Sequence, residues 1–215
     1  MALTNRDCAA LVLVDVQPDF MPGGALGVTD GDAILTPLAK LLAARRFSLA
    51  VATQDWHPLG HISFASRHPG RKPFDHISLY GHDQGLSPDH CIMGTPGAAI
   101  HPQLPEPLID AIVRKGTHRE VDSYSGFRNN WDAEGRRAPT GLAGLLRERG
   151  ITEVYLSGLA RDVCVKWTAL DAADLGFSTT VVWDLTRAVN PANDERVREA
   201  LTSAGIKIAE FHDLL

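Results

Sequence analysis

The chain has 215 residues, 44% hydrophobic and 22% charged, the balance of a soluble globular protein with one sizeable core. A net charge of -5 offers no basic patch for phosphate, which excludes nucleic acid as a partner and favours small molecules. The N-terminal stretch lacks a signal-peptide pattern, and no apolar run reaches the length of a membrane span, so no membrane contact and a cytoplasmic location are expected. Cys8, Cys91 and Cys164 are odd in number and lack metal-finger spacing, which suits free thiols in a reducing compartment.

Short β-branched runs at 10–16, 48–54, 110–115, 153–159, 178–185 and 206–211 predict six strands. Between them, 31–46, 141–150, 162–176 and 194–205 place apolar residues at helical spacing and mostly stop at glycine, predicting crossover helices. Nearly continuous apolar strands joined by helices indicate an α/β fold: a doubly wound, mostly parallel six-stranded sheet with helices on both faces. The whole chain, 1–215, reads as a single domain. Its one long connection, about 55–107, is rich in Pro, Gly and His, has little periodicity, and is expected to carry metal and substrate contacts rather than to act as a linker.

Ligands of open α/β sheets bind beyond the carboxyl ends of the strands. The first expected strand ends in Asp15, the second in Asp55 and His57, the third in Lys115, and the fourth leads through "SGLARDVC" to Cys164. An acid, a base, a thiol and a metal-type pair on consecutive ends predict one site. Cys164 falls in the first turn after Asp162, a good N-cap residue, where the helix dipole and a nearby Lys115 favour a thiolate. Asp15 can then act as general base and later as acid. Cys8 and Cys91 are expected to be small buried hydrophobes. Asp55 and His57, two residues apart on an extended segment, can share one ion as part of an open three-ligand site. Spacing leaves the third ligand open between His90 and His61.

The segments "LVLVDVQPDFMPGGALGV", "ATQDWHPLGHISFAS", "PDHCIMGTPGAAIHPQL", "VRKGTHREVDSYSGF" and "SGLARDVCV" resemble, in order, those of nicotinamidases within the isochorismatase-like cysteine hydrolases. The resemblance implies a catalytic triad of Asp15, Lys115 and Cys164 and metal ligands Asp55, His57 and His90. His61 then falls to a second layer or to the substrate side. It implies a cis peptide at Leu159-Ala160, with the Ala160 and Cys164 N-H groups facing an oxyanion, and a substrate pocket walled by Phe20 and Tyr124. The implied reaction is nicotinamide hydrolysis through a thioester, extending to pyrazinamide, with one divalent metal ion as cofactor: zinc first, with iron or manganese also suiting the donor set. A homo-oligomer is compatible with the chain.

One position departs from the family, whose members usually carry Trp three residues before the metal histidine. "LSPDHC" puts Ser87 there, which leaves room for a larger amide or for another aromatic. The competing reading is a related cysteine amidase acting on another small amide, such as an N-carbamoyl compound or maleamate. A dinucleotide-binding oxidoreductase lacks its G-x-G-x-x-G turn here. A thiol redox sensor is the remaining alternative.

Overall fold

The computed structural model describes residues 6–215, so the first five residues of the N-terminal stretch read above, and of the 1–215 span, lie outside it. In chain order the main elements are β1 (Arg6–Val14), α1 (Leu35–Ala43), β2 (Phe47–Asp55), β3 (His76–Leu79), β4 (His82–Gly85), β5 (Ala111–Lys115), α2 (Leu142–Glu148), β6 (Glu153–Leu159), α3 (Lys166–Asp174), β7 (Ser178–Arg187), α4 (Asp194–Ser203) and β8 (Lys207–Ala209). Six strands form one parallel sheet in the order β5-β2-β1-β6-β7-β8. The chain therefore winds outward from β1 in one direction, then returns to lay β6 against its other side. That reversal between β1 and β6 is where a ligand crevice opens in such sheets.

Alternating side chains of β1 serve two cores. Leu11 and Leu13 pack on one face with Leu35, Leu38, Leu41 and Leu42 of α1. Ala10, Val12 and Val14 pack on the other with Leu142, Leu146, Ala169, Ala172, Val197 and Leu201 from α2, α3 and α4. Burial on both faces explains why the strand sequence is continuously apolar. No helix of the described residues is long and apolar enough to cross a membrane.

Three expectations need correction. The helix expected at 31–46 is a 3₁₀ turn at Gly31–Ile34 followed by α1, and it stops before Arg45, whose φ of 49° leaves the helical region. The stretch 55–107 holds the β3-β4 hairpin, whose two-residue turn, Tyr80-Gly81, has positive φ at both positions (52° and 82°). This is the turn sign that matches strand twist; Tyr is an uncommon residue there, so the usual Asn-Gly or Asp-Gly signal is missing. Cys8 is exposed, whereas Cys91 is buried.

Near the crevice the sheet depends on one glycine. Gly158 has a φ of 111°, and a Cβ there would sit 2.0 Å from the Val14 carbonyl oxygen. Close approach of β6 to the end of β1 therefore requires hydrogen at this position. Gly158→Ala is expected to destabilise the chain by about 3 kcal/mol, from strain plus backbone overlap; urea unfolding of both proteins measures it, and a loss below about 1 kcal/mol would show that the strands can separate freely.

Candidate active site

Because β5, β2, β1 and β6 are neighbours, the residues at their carboxyl ends meet. Asp15 follows β1 with a φ of 48° and is held by Thr53: its N-H donates to Thr53 Oγ1 (3.2 Å), and that hydroxyl donates to Asp15 Oδ1 (2.6 Å). Lys115, fully buried, donates to Asp55 Oδ1 (2.6 Å) and to the Ser123 carbonyl (2.8 Å). Its ammonium also pairs with Asp15 Oδ2 at 2.9 Å and lies 3.6 Å from Cys164 Sγ.

Cys164 sits in a wide π-helical turn, Arg161–Val165, that precedes α3. The peptide Leu159-Ala160 is cis. Asp162 does not cap this turn, contrary to expectation: its carboxylate accepts from the Val189 and Asn190 N-H groups (2.8 and 3.1 Å) and from Asn193 Nδ2 (3.0 Å). It ties the turn bearing Cys164 to the segment after β7 instead.

Burial and charge pull these groups in different directions. Burial penalises the Lys115 charge, but Asp15 and Asp55 outweigh it and hold its pKa well above the ordinary lysine value. Burial raises Asp15, only partly opposed by Lys115. For Asp55 the balance reverses: burial works upward, yet Lys115 and then His57 hold the carboxyl well below its usual range. Burial also pushes the Cys164 thiol well up, with Lys115 opposing, which runs against the direction expected from the helix dipole.

Asp55, His57 and His90 place ligand atoms within 4.8 Å of one another. Backbone pairing brings the two histidines together, since His57 N-H donates to the Cys91 carbonyl (2.9 Å) and Met93 N-H to the His57 carbonyl (2.8 Å). His57 Nδ1 donates to the Gly116 carbonyl (3.0 Å) and His90 Nδ1 to the Pro88 carbonyl (2.9 Å). A carbonyl only accepts, so both imidazoles keep Nε2 free, at 3.6 and 3.8 Å from Asp55 Oδ2. Two oriented imidazole nitrogens facing a carboxylate oxygen fit a divalent cation, with the backbone carbonyls fixing the rings as a second layer should. Gly116 has a φ of 64°, and a Cβ there would lie 2.4 Å from the His57 ring, so glycine is needed for this contact.

Two other clusters also bring ligand atoms together. Asp15, Asp55 and Cys164 surround the Lys115 ammonium, which already supplies their positive charge. His57, His61 and Asp122 include an imidazole with no free nitrogen: His61 Nδ1 contacts Ser63 Oγ (2.8 Å) and Nε2 the Val121 carbonyl (3.3 Å).

A cavity of about 170 Å³ opens above these groups. Asp55, His57, His90 and Cys164 reach it, as do Phe20, Tyr124, Ala160 and Ser87. His61 does not line it, and its expected substrate-side place is corrected: the ring is fully buried, stacked on His57 at 4.2 Å between centroids. Burial lowers its pKa to about 4, so it packs as a neutral imidazole.

Several positioning residues escaped the sequence reading. Gln17 donates to the Asp55 and Ala98 carbonyls (2.9 and 2.8 Å) and accepts from Asp55 N-H (2.8 Å), locking β1's end to β2's. Asp19 Oδ2 accepts the Cys91 N-H (2.7 Å), beside His90. Phe64, fully buried, lies 5.6 Å from the rings of His57, His61 and His90. Asp122 reaches the cavity and accepts from Gln84 Nε2 (2.8 Å), which also donates to Tyr124 Oη (2.8 Å). Gln17 and Asp19 stand inside "DVQPDF", and only their closeness to Asp15 hinted at them.

Comparison with known proteins agrees with this geometry. The sequence profile of the isochorismatase domain matches residues 9–212. The nicotinamidase of Acinetobacter baylyi is 48% identical over 88% of this chain and 86% of its own length. The solved nicotinamidase/pyrazinamidase of Acinetobacter baumanii superposes with a TM-score of 0.92 at 44% identity, covering 99% of this chain and all of that one. A pyrazinamidase of Pyrococcus horikoshii, solved in complex with zinc, gives 0.76 at 38% identity, over 94% of this chain and 99% of that one. A parallel sheet carrying this cluster at its switch point, matched over nearly its whole length, places the chain in the isochorismatase family.

Proposed function

We propose that this chain hydrolyses nicotinamide to nicotinate and ammonia, with pyrazinamide as a second substrate. The observation that carries this reading is the adjacency of one thiol, one carboxylate and one ammonium: Cys164 lines the cavity, and the buried Lys115 Nζ lies 3.6 Å from its sulfur and 2.9 Å from Asp15. The nicotinamidases similar to it over most of its length support the substrate assignment.

In this mechanism Cys164 Sγ attacks the carboxamide carbon while its proton passes to Asp15. Asp15, raised by burial, accepts that proton readily and returns it to the departing nitrogen, which leaves as ammonia. A water then attacks the thioester, gives its proton to Asp15, and displaces the Cys164 sulfur, which recovers that proton. Lys115 stays charged, holds Asp15 in place and stabilises negative charge forming on sulfur. The Ala160 and Cys164 N-H groups receive the carbonyl oxygen as it becomes an oxyanion, and Phe20 and Tyr124 enclose the ring. Asp55, His57 and His90 hold one divalent ion, with zinc as first choice from the zinc complex of the Pyrococcus horikoshii relative. Bound there, such an ion supplies a positive anchor for a ring nitrogen. His61 buttresses His57. Residues 1–215 act as one hydrolase domain, and the free thiols suit the cytoplasm.

The small Ser87 side chain in the cavity lining favours one second reading, a cysteine amidase of the same fold whose preferred amide is not nicotinamide. Ammonia release from a panel of amides decides between them.

Cys164→Ala is expected to reduce turnover by at least ~10⁴-fold with an unfolding midpoint near wild type, and Asp15→Asn by ~10²- to 10⁴-fold with a lowered midpoint, because it removes a charge partner of the buried Lys115. The pH profile of kcat/KM should show an acid limb above the ordinary aspartate value, because Asp15 must be ionised and burial raises its pKa. Near-normal turnover in Asp15→Asn removes it from the mechanism.

Metal analysis of purified variants should find that His57→Ala and His90→Ala lose the ion, since an open three-ligand site cannot spare one. His61→Ala should retain it, because the Gly116 carbonyl still orients His57. Loss in His61→Ala with retention in His90→Ala reassigns the third ligand.

Ser87→Trp should lower KM for nicotinamide by up to about tenfold at nearly constant kcat, the effect of adding one stacked ring to a binding wall. A raised KM would show that the wall is already full.

A further inference from the structure

The cavity grades from polar and buried to apolar and exposed. Its floor consists of groups that are 7% exposed or less, among them Asp55, His57 and Cys164. Two of its lining residues are large hydrophobics left open to water: Phe74 at 66% and Val189 at 41% exposure. They come from different parts of the fold, Phe74 from the turn before β3 and Val189 from the segment after β7.

Both are held where they are. Phe74 has a φ of 73°, unfavourable for a bulky side chain. That conformation is maintained by Phe74 N-H to the Leu86 carbonyl (2.7 Å) and Leu86 N-H to the Asp75 carbonyl (2.8 Å). Leu86 is itself a cavity wall. The hairpin behind this turn is secured by Gln84 to Asp122 and by His82 stacked on Trp131 at 4.1 Å. Val189 is fixed through its N-H to Asp162 Oδ1 (2.8 Å), two residues before Cys164. An exposed aromatic costs solvation in the free protein and is covered only when something apolar lies against it. A strained bulky residue persists where its surroundings over-determine it, typically beside a ligand.

We propose that Phe74 and Val189 form an apolar rim that selects aromatic amides bearing a short apolar substituent on the ring edge facing the mouth. This rests on the nicotinamide reading above. With the carboxamide at Cys164 and the ring nitrogen toward Asp55, His57 and His90, the ring carbon meta to both anchors, C5, points away from them. A C5 alkyl group extends toward the rim, and Ser87 contributes only a small side chain to the same cavity lining.

The test compares kcat/KM for nicotinamide and 5-propylnicotinamide in wild type, Phe74→Ala, Phe74→Leu and Val189→Ala, with metal bound. Wild type should process the propyl compound at least as efficiently as nicotinamide. Phe74→Ala should lose about tenfold on the propyl compound while staying within about twofold on nicotinamide, a discrimination typical of apolar pockets. Val189→Ala should lose about threefold on the propyl compound, and Phe74→Leu should retain most of the preference. The proposal is overturned if wild type cleaves nicotinamide but not the propyl compound, or if Phe74→Ala weakens both amides equally. A wild-type chain inert toward nicotinamide overturns the functional reading and this proposal together, whereas the other outcomes leave that reading standing.

Discussion

The site depends on burying one ammonium between two carboxylates. Lys115 sits 2.9 Å from Asp15 and 2.6 Å from Asp55, and all three are 3% exposed or less. Isolated, any one of these charges would be expelled or neutralised by desolvation; here the ammonium offsets part of that cost for both carboxylates and they offset its own, and removing one partner of such a buried group costs about 3–5 kcal/mol. The sheet order makes the arrangement possible, because β5, β2 and β1 lie side by side and each ends in one member. The same ammonium divides two tasks. Asp55, held well below its usual range, stays an anion suited to a cation, whereas Asp15, raised by burial, is suited to carrying a proton.

Cys164 occupies the third side of this charge cluster. Burial works against ionisation of its thiol and Lys115 works for it, so in the proposed reaction Asp15 takes the proton as the sulfur attacks. Cys91 is also buried, and burial pushes its thiol upward too, with Asp55 and Asp15 adding to the shift.

The histidine side of the candidate site is built by the long connection between β2 and β5. Short parallel backbone contacts, His57 with Ile92 and Phe64 with Ser87, stitch its two ends together. Aromatic packing then sets the imidazoles: Phe64 stands behind all three histidines and Phe20 lies 5.5 Å from His90. The hairpin projecting from this connection supplies the outer wall. One stretch lacking regular periodicity thus carries both ligand geometry and the rim.

The sequence by itself determined the six strands of the main sheet, the parallel α/β class and the four chemical strand ends, because apolar strands buried on both faces leave a continuous signal and a carboxyl end is a fixed place on each. Asp15, Asp55, Lys115 and Cys164 were legible for that reason. Only the tertiary structure decided which histidine turns a free ring nitrogen toward Asp55: His61 is closer in sequence, but both its ring nitrogens are spent on Ser63 and Val121, whereas His90 arrives through backbone pairing across the loop. It also decided that Asp162 fastens a neighbouring segment, that Gln17 joins two strand ends, and that Phe74 lines the cavity mouth. These are long-range contacts between polar or irregular segments, where no periodicity exists to read and where the chain's path through space alone chooses the partner.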